Sequence, residues 1–237
     1  MNSLTPRTNK GGSIGNEKIE RKGGDTKTVD SQSRGEYPKC RTENQSIYVP
    51  LNYRSNKMNQ NSTDVSYQQC RNAVKGYLSR GEYTSALDEI NQYLQKHPSD
   101  VEGYSLRANV YIHLRQLEKV KEDSLRAISL DPNSPLGYHH LGLYYRLKNM
   151  YPEAIREFEN ALERGPENYN VLINLGIVYI CRGMLKVAVG YFTRAQEIDP
   201  DHHAAYEIRY RCYLDLGYNR LAREDLWRLR NLKAKHN

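Results

Sequence analysis

The chain has 237 residues, 38% of them hydrophobic and 27% charged, with a mean hydropathy of −0.84, so it holds enough apolar material for one moderate core and is polar for its length. No stretch approaches the roughly 20 apolar residues that a membrane span requires, and no apolar signal segment follows Met1, so no membrane partner is expected. The formal net charge of +7 is concentrated at the two ends: Lys/Arg against Asp/Glu runs 11 to 7 over residues 1–66, 18 to 19 over 67–217 and 6 to 2 over 218–237. A basic face interleaved with aromatics would point to nucleic acid, whereas charge confined to a tail and a terminal segment reads as solubilising.

Residues 1–66 are rich in Gly, Ser, Asn, Thr and Lys and carry only 14 residues of the hydrophobic set, with no period of 2 or 3.6. Such a segment cannot offset its chain entropy by burial, so a disordered tail is expected here. One apolar patch interrupts it, SIYVPLNY at residues 46–53, which reads either as a docking motif or as a lone sticky spot.

From residue 67 the sequence repeats with a period of 34, in rows beginning at Tyr67, Val101, Pro135, Tyr169 and His203. One column holds Tyr77, Tyr111, Tyr145, Tyr179 and Tyr213, another Cys70, Tyr104, Tyr138, Leu172 and Tyr206. Further along each row come Ala86, Val120, Ala154, Ala188 and Ala222, then Ile90, Ser124, Phe158, Phe192 and Leu226. Within each row, apolar residues recur at helical spacing over two segments of about a dozen residues. Between them lies a turn column with Gly81, Asn149, Gly183 and Gly217, residues that accept positive φ at low cost, and Arg115 as the exception. Pro98, Pro132, Pro166 and Pro200 close four of the rows, where a second helix cannot be extended.

These observations predict an all-α fold of five antiparallel helix pairs over residues 67–236. No single pair buries both its faces, so neighbours must stack into a solenoid with a continuous core. The columns also carry a resemblance. YHHLGLYY with AIREF and Pro166, and LINLGIVY with AVGYF and Pro200, are similar to the signature of the tetratricopeptide repeat. Rows one, two and five depart from it, with Val74, Ala108 and Tyr210 in the glycine slot. The resemblance implies a right-handed superhelical solenoid that acts as a non-catalytic scaffold or adaptor for an extended or helical segment of another protein.

Enzymatic motifs are absent from the sequence: there is no GxxxxGK[ST], HExxH or GxSxG. No catalytic residue, cofactor or metal is therefore expected. The four cysteines, Cys40, Cys70, Cys181 and Cys212, are at least 30 residues apart with no CxxC pair, which predicts neither a zinc cage nor a disulfide framework and makes a reduced compartment, cytoplasm or nucleus, the expectation.

In the family's arrangement the first helix of each row lines the concave side through a few fixed slots. The resemblance thereby places Arg71, Lys75, Asn109 and His113 in a polar, basic half of the groove, and His139, Leu143, Arg146, Ile173, Ile177 and Ile180 in a largely aliphatic half. Some of these aliphatics alternatively pack between helices. A chaperone-tail clamp is not carried over, because neither Arg71, Lys75, Leu106, Leu136 and His140 nor Ser105, Asn109, His140, Asn170 and Asn174 matches its residues. Three functional readings stay open: the adaptor, a targeting subunit of a multi-protein enzyme complex such as one containing a glycosyltransferase or a chaperone, and nucleic-acid binding through the basic carboxy-terminal helix with Trp227, the least favoured. The oligomeric state is not fixed by any of them.

Overall fold

The computed structural model describes residues 62–235, and all of its regular structure there is helical. The tail reading and the 46–53 patch lie outside the described residues. The helices are α1 (Ser62–Ser79), α2 (Tyr83–Lys96), α3 (Val101–His113), α4 (Leu117–Leu130), α5 (Pro135–Leu147), α6 (Tyr151–Arg164), α7 (Tyr169–Cys181), α8 (Leu185–Ile198), α9 (His203–Asp215) and α10 (Asn219–Lys235). They pack as consecutive pairs, each helix against the next, as the repeat period predicts.

Each pair is made by the same two devices. The first helix opens on a polar cap: the side chains of Asp100, Ser134, Asn168 and His202 accept from backbone amides of α3, α5, α7 and α9, which stabilises amide groups that have no partner within the helix. It closes on a left-handed residue. Gly81, Gly183 and Gly217 have φ of 76°, 73° and 74°, and Arg115 and Asn149 adopt 57° and 60° in the same column. The amide of the following residue then reaches back to the carbonyl of the Tyr column, from Glu82 to Tyr77 at 2.9 Å, Met150 to Tyr145 at 2.9 Å and Met184 to Tyr179 at 2.8 Å. That is a Schellman closure, and its geometry sets the second helix antiparallel to the first.

Small residues let the helices approach. A Cβ on Gly142 would stand 2.6 Å from Cδ1 of Phe158, and one on Gly176 would collide with Phe192, both phenylalanines being fully buried. The core is a chain of clusters along the array. Val74, Ile90 and Val110 anchor one, Ala108, Val120 and Leu141 the next, then Phe158 with Leu175, and finally Phe192 with Ile173 and Ala205. The odd-numbered helices α1, α3, α5 and α7 also touch their odd neighbours, whereas the even helices do not pack on one another to a comparable degree. Closer spacing on the odd side makes that side concave.

Candidate functional site

The concave side is built by α1, α3, α5, α7 and α9, and the residues assigned to it from sequence separate into two groups. The polar group stays on the inner helices. Arg71 is half-buried on α1 and donates to Gln68 Oε1 at 3.2 Å, and Lys75 beside it is exposed. Partial burial and then the charge of Arg71 lower the pKa of the Lys75 ammonium. On α3, Asn109 is buried and its Oδ1 has no hydrogen-bond partner among the described residues. His113, at the end of α3, stacks on Tyr83 at 5.3 Å, and burial lowers its pKa. Arg146 is buried near the end of α5.

The aliphatic group is core. Leu143 packs with Phe158, Val171 and Leu175 between α5, α6 and α7. Ile173 and Ile177 pack with Phe192, Ala205, Ile208 and Cys212 between α7, α8 and α9, and Ile173 is 0% exposed. Ile180 is half-buried at the edge of that cluster. The slot rule specifies a direction around the helix, but with Ala205 as neighbour α9 comes close enough to cover that direction. The aliphatic half of the groove expected from sequence is thus largely the interface between repeats.

The histidine pair is interior as well. His139 is 4% exposed, lies edge-on to His140 at 5.1 Å and leans on Phe158 at 5.9 Å. His140 is 0% exposed, with Nδ1 3.0 Å from the Leu136 carbonyl, to which it donates in its Nδ1–H tautomer, and 3.2 Å from Ser105 Oγ. Burial lowers the pKa of His140 to about 4, and burial with the nearby His140 and Arg146 lowers that of His139 well below the ordinary range. Both rings are neutral at neutral pH. Among the described residues no three of His, Cys, Asp and Glu come together as a ligand set.

Two features were not foreseen. Asn170 and Asn174 of α7 are buried at 4% and 6% exposure, and the Asn174 amide donates to the Asn170 carbonyl at 2.7 Å. Cys181, at the end of α7, is disulfide-bonded, against the expectation of thiols drawn from cysteine spacing. Spacing carries no signal for a bond between distant residues; the even number of cysteines was the one available hint.

Comparison with known proteins agrees with this geometry. Family models described as tetratricopeptide repeat match residues 101–134 and 141–203. Hsp70-Hsp90 organizing protein 3 of Arabidopsis thaliana is 28% identical over 102 residues, 43% of this chain and 18% of that protein. BBSome complex member BBS4 of Bos taurus is 27% identical over 125 residues, 53% of this chain and 24% of that protein. The chain thus spans less than a quarter of the length of these curated relatives. Among solved structures, the type IV pilus biogenesis factor PilW superposes with a TM-score of 0.62 at 22% identity, covering 75% of this chain and 80% of that one. YrrB, described as a TPR protein with an unusual peptide-binding site, superposes with a TM-score of 0.51 at 26% identity, covering 62% of this chain and 76% of that one. No described helix is long and apolar enough to cross a membrane.

Proposed function

Because this chain is a tetratricopeptide-repeat protein, we propose that it is a non-catalytic scaffold whose concave face holds an extended segment of another protein. The observation that carries this reading is the buried Asn109 Oδ1, an acceptor without a hydrogen-bond partner on an inner helix. An unsatisfied buried acceptor costs on the order of 1–3 kcal/mol, which a backbone N–H of a bound segment would recover. Arg71 and Lys75, on the neighbouring inner helix, favour acidic side chains in that segment. YrrB, whose description names a peptide-binding site, is a similar fold and supports the same reading.

The test must avoid the core. Asp at Ile173 or Ile177 would bury a carboxylate beside Phe192 and unfold the fourth repeat, so loss of a partner there would carry no information. Arg71→Glu with Lys75→Glu, and separately Asn109→Ala, are the informative changes. Each is expected to weaken a partner captured by the wild-type protein at least tenfold while the helical circular dichroism is kept; unchanged capture by both variants overturns the proposal.

A second reading, a targeting subunit of a multi-protein enzyme complex, draws on relatives described as a BBSome complex member and an anaphase-promoting complex subunit. It predicts that the chain elutes from native extract in an assembly many times its own 27.5 kDa. The chaperone-tail version of it is disfavoured, since His140 stands in the clamp's slot and is enclosed by Ser105 and Leu136.

A further inference from the structure

We propose that the fifth repeat carries a second binding site, separate from the concave groove, in which the cleft between the outer helices α8 and α10 holds an acidic segment of another protein against Trp227.

The cleft measures about 710 Å³, within the range of ligand-binding clefts. Gln196 at the end of α8 and Arg223, Trp227 and Arg228 of α10 frame it, and the buried Tyr206 and Arg209 of α9 form its floor. Three kinds of group in it have nothing to answer them. Trp227, the one tryptophan of the chain, is 63% exposed. Arg209 is matched by Asp225 and Arg220 by Glu224, but no ion pair engages Arg223 or Arg228 among the described residues. The Oε1 of Gln196 is buried and accepts no hydrogen bond.

The same columns in earlier rows are occupied with the protein's own packing. In the column of Arg228, Arg126 lies over Tyr104, Asn160 donates to Glu157 at 3.1 Å and Arg194 pairs with Glu167. In the column of Arg223, Lys121 lies over Tyr144 of the following repeat, and Ile155 and Val189 pack into the clusters between repeats. No described repeat follows the fifth, so Arg223 has no such neighbour. The column of Trp227 holds Leu125, Glu159 and Thr193, none of them aromatic. The indole and the two guanidinium groups therefore serve no packing role that the array repeats. Tryptophan and arginine are also the residues that carry most of the binding energy where proteins meet.

The unanswered groups specify the occupant. Two guanidinium groups call for carboxylates, which they hold with paired hydrogen bonds. The indole calls for an apolar side chain, and the buried acceptor of Gln196 calls for an N–H, which a peptide backbone supplies at every residue but proline. A nucleic-acid strand would answer the arginines and stack a base on Trp227. Its phosphates, however, only accept hydrogen bonds, and they would meet the carboxylate of Glu197 at the rim. An acidic peptide with apolar residues between its carboxylates meets all three demands.

The experiment uses the full chain and its single indole as the reporter, excited where tyrosines do not absorb. The probe is a capped synthetic peptide that repeats Asp-Leu-Asp-Gly, expected to change the Trp227 emission saturably. The same peptide with Lys for Asp, the same peptide with Gly for Leu, and an oligothymidylate of matching length are each expected to bind at least tenfold more weakly. With the peptide labelled and read by anisotropy, Arg223→Gln with Arg228→Gln, and separately Trp227→Ser, should each weaken binding at least tenfold, and Gln196→Leu about fivefold. All three positions lie outside the core clusters, so the helical circular dichroism should be kept. Arg71→Glu with Lys75→Glu should leave the affinity unchanged, because those residues belong to the concave groove. No saturable change with the acidic peptide, tighter binding of the oligothymidylate, indifference to the loss of leucine or of the two arginines, or a loss in the Arg71 and Lys75 variant overturns the inference. Partner capture at the concave face is read separately, so either site can fail while the other stands.

Discussion

Arg209 and Asp225 form a two-pronged ion pair across α9 and α10, Nε to Oδ2 at 2.9 Å and Nη2 to Oδ1 at 2.7 Å, with side chains only 9% and 6% exposed. Arg107 and Asp123 repeat it in the second row at 2.8 and 2.7 Å. In both rows the third nitrogen reaches the preceding outer helix, Nη1 of Arg209 to Thr193 Oγ1 and Nη1 of Arg107 to Asn91 Oδ1, each at 2.9 Å. The guanidinium also lies over two tyrosines, Tyr206 and Tyr213 or Tyr104 and Tyr111. Rows three and four carry Leu141 and Leu175 in the arginine column. A buried charge pair and a leucine thus solve one packing problem in alternative ways. Removing one partner leaves an unpaired buried charge, so Arg209→Ala should cost about 3–5 kcal/mol, whereas Arg209→Leu with Asp225→Leu should be near neutral. Urea unfolding of the two variants checks this; equal losses would show that the pair is stabilising in itself.

Left-handed turns give a second prediction. Gly183 has φ 73° and a Cβ there would meet nothing within 4 Å, so Gly183→Ala tests backbone conformation alone and should cost about 1 kcal/mol. Arg115 holds φ 57° with a side chain that prefers otherwise, so Arg115→Gly should gain up to about 1 kcal/mol. Both are read from shifts in the urea midpoint. A loss at Arg115→Gly would mean that its side chain contributes more than the strain costs.

The array was legible because its signals repeat: a column of five tyrosines and a turn column that keeps its conformation even at Arg115. Of the groove residues expected from sequence, the inner-helix position of Arg71, Lys75, Asn109 and His113 was legible, whereas the burial of the aliphatic set was not. Whether Ile173 meets water or Ile208 depends on how closely α9 approaches α7, and that spacing is set by Ala205 in the next row. A rule applied one row at a time does not contain it. The same holds for Gly137, whose missing Cβ lets α5 come within contact of the Ser124 carbonyl and Ile128 on α4. The Arg209 and Asp225 pair was hidden for a related reason: charged residues sixteen positions apart read as surface until the fold brings them together.

Glycine position supplies a third prediction, with opposite signs for one substitution. A Cβ on Gly142 would stand 2.6 Å from Phe158, which is fully buried and cannot yield without moving α6, so Gly142→Ala should cost about 1–3 kcal/mol. Gly190, exposed in the interior of α8, has nothing within 4 Å of its added Cβ, so Gly190→Ala should gain about 0.5–1 kcal/mol. Thermal melts of the two variants should move in opposite directions. A loss at both would place the helix ends, not the packing, in control.

The buried histidines make the fold sensitive to acid. His140 is fully enclosed, and burial, opposed in part by the hydrogen bond to the Leu136 carbonyl, lowers its pKa to about 4, while in an unfolded chain a histidine titrates near 6.5. Above 6.5 the ring is neutral in both states and stability does not depend on it. As pH falls below 6.5 the unfolded chain binds a proton that the folded chain does not, so the folded state loses ground until His140 itself protonates near pH 4. By then His140 alone accounts for about 3 kcal/mol, and His139, shifted in the same direction, adds to it. His140→Asn keeps a donor for the Leu136 carbonyl and removes the titration. Urea unfolding at intervals from pH 7.5 to 4.5 should therefore show a shallower decline for His140→Asn than for the wild type, whatever its stability at pH 7.5. Parallel declines would place the acid sensitivity in groups other than His140.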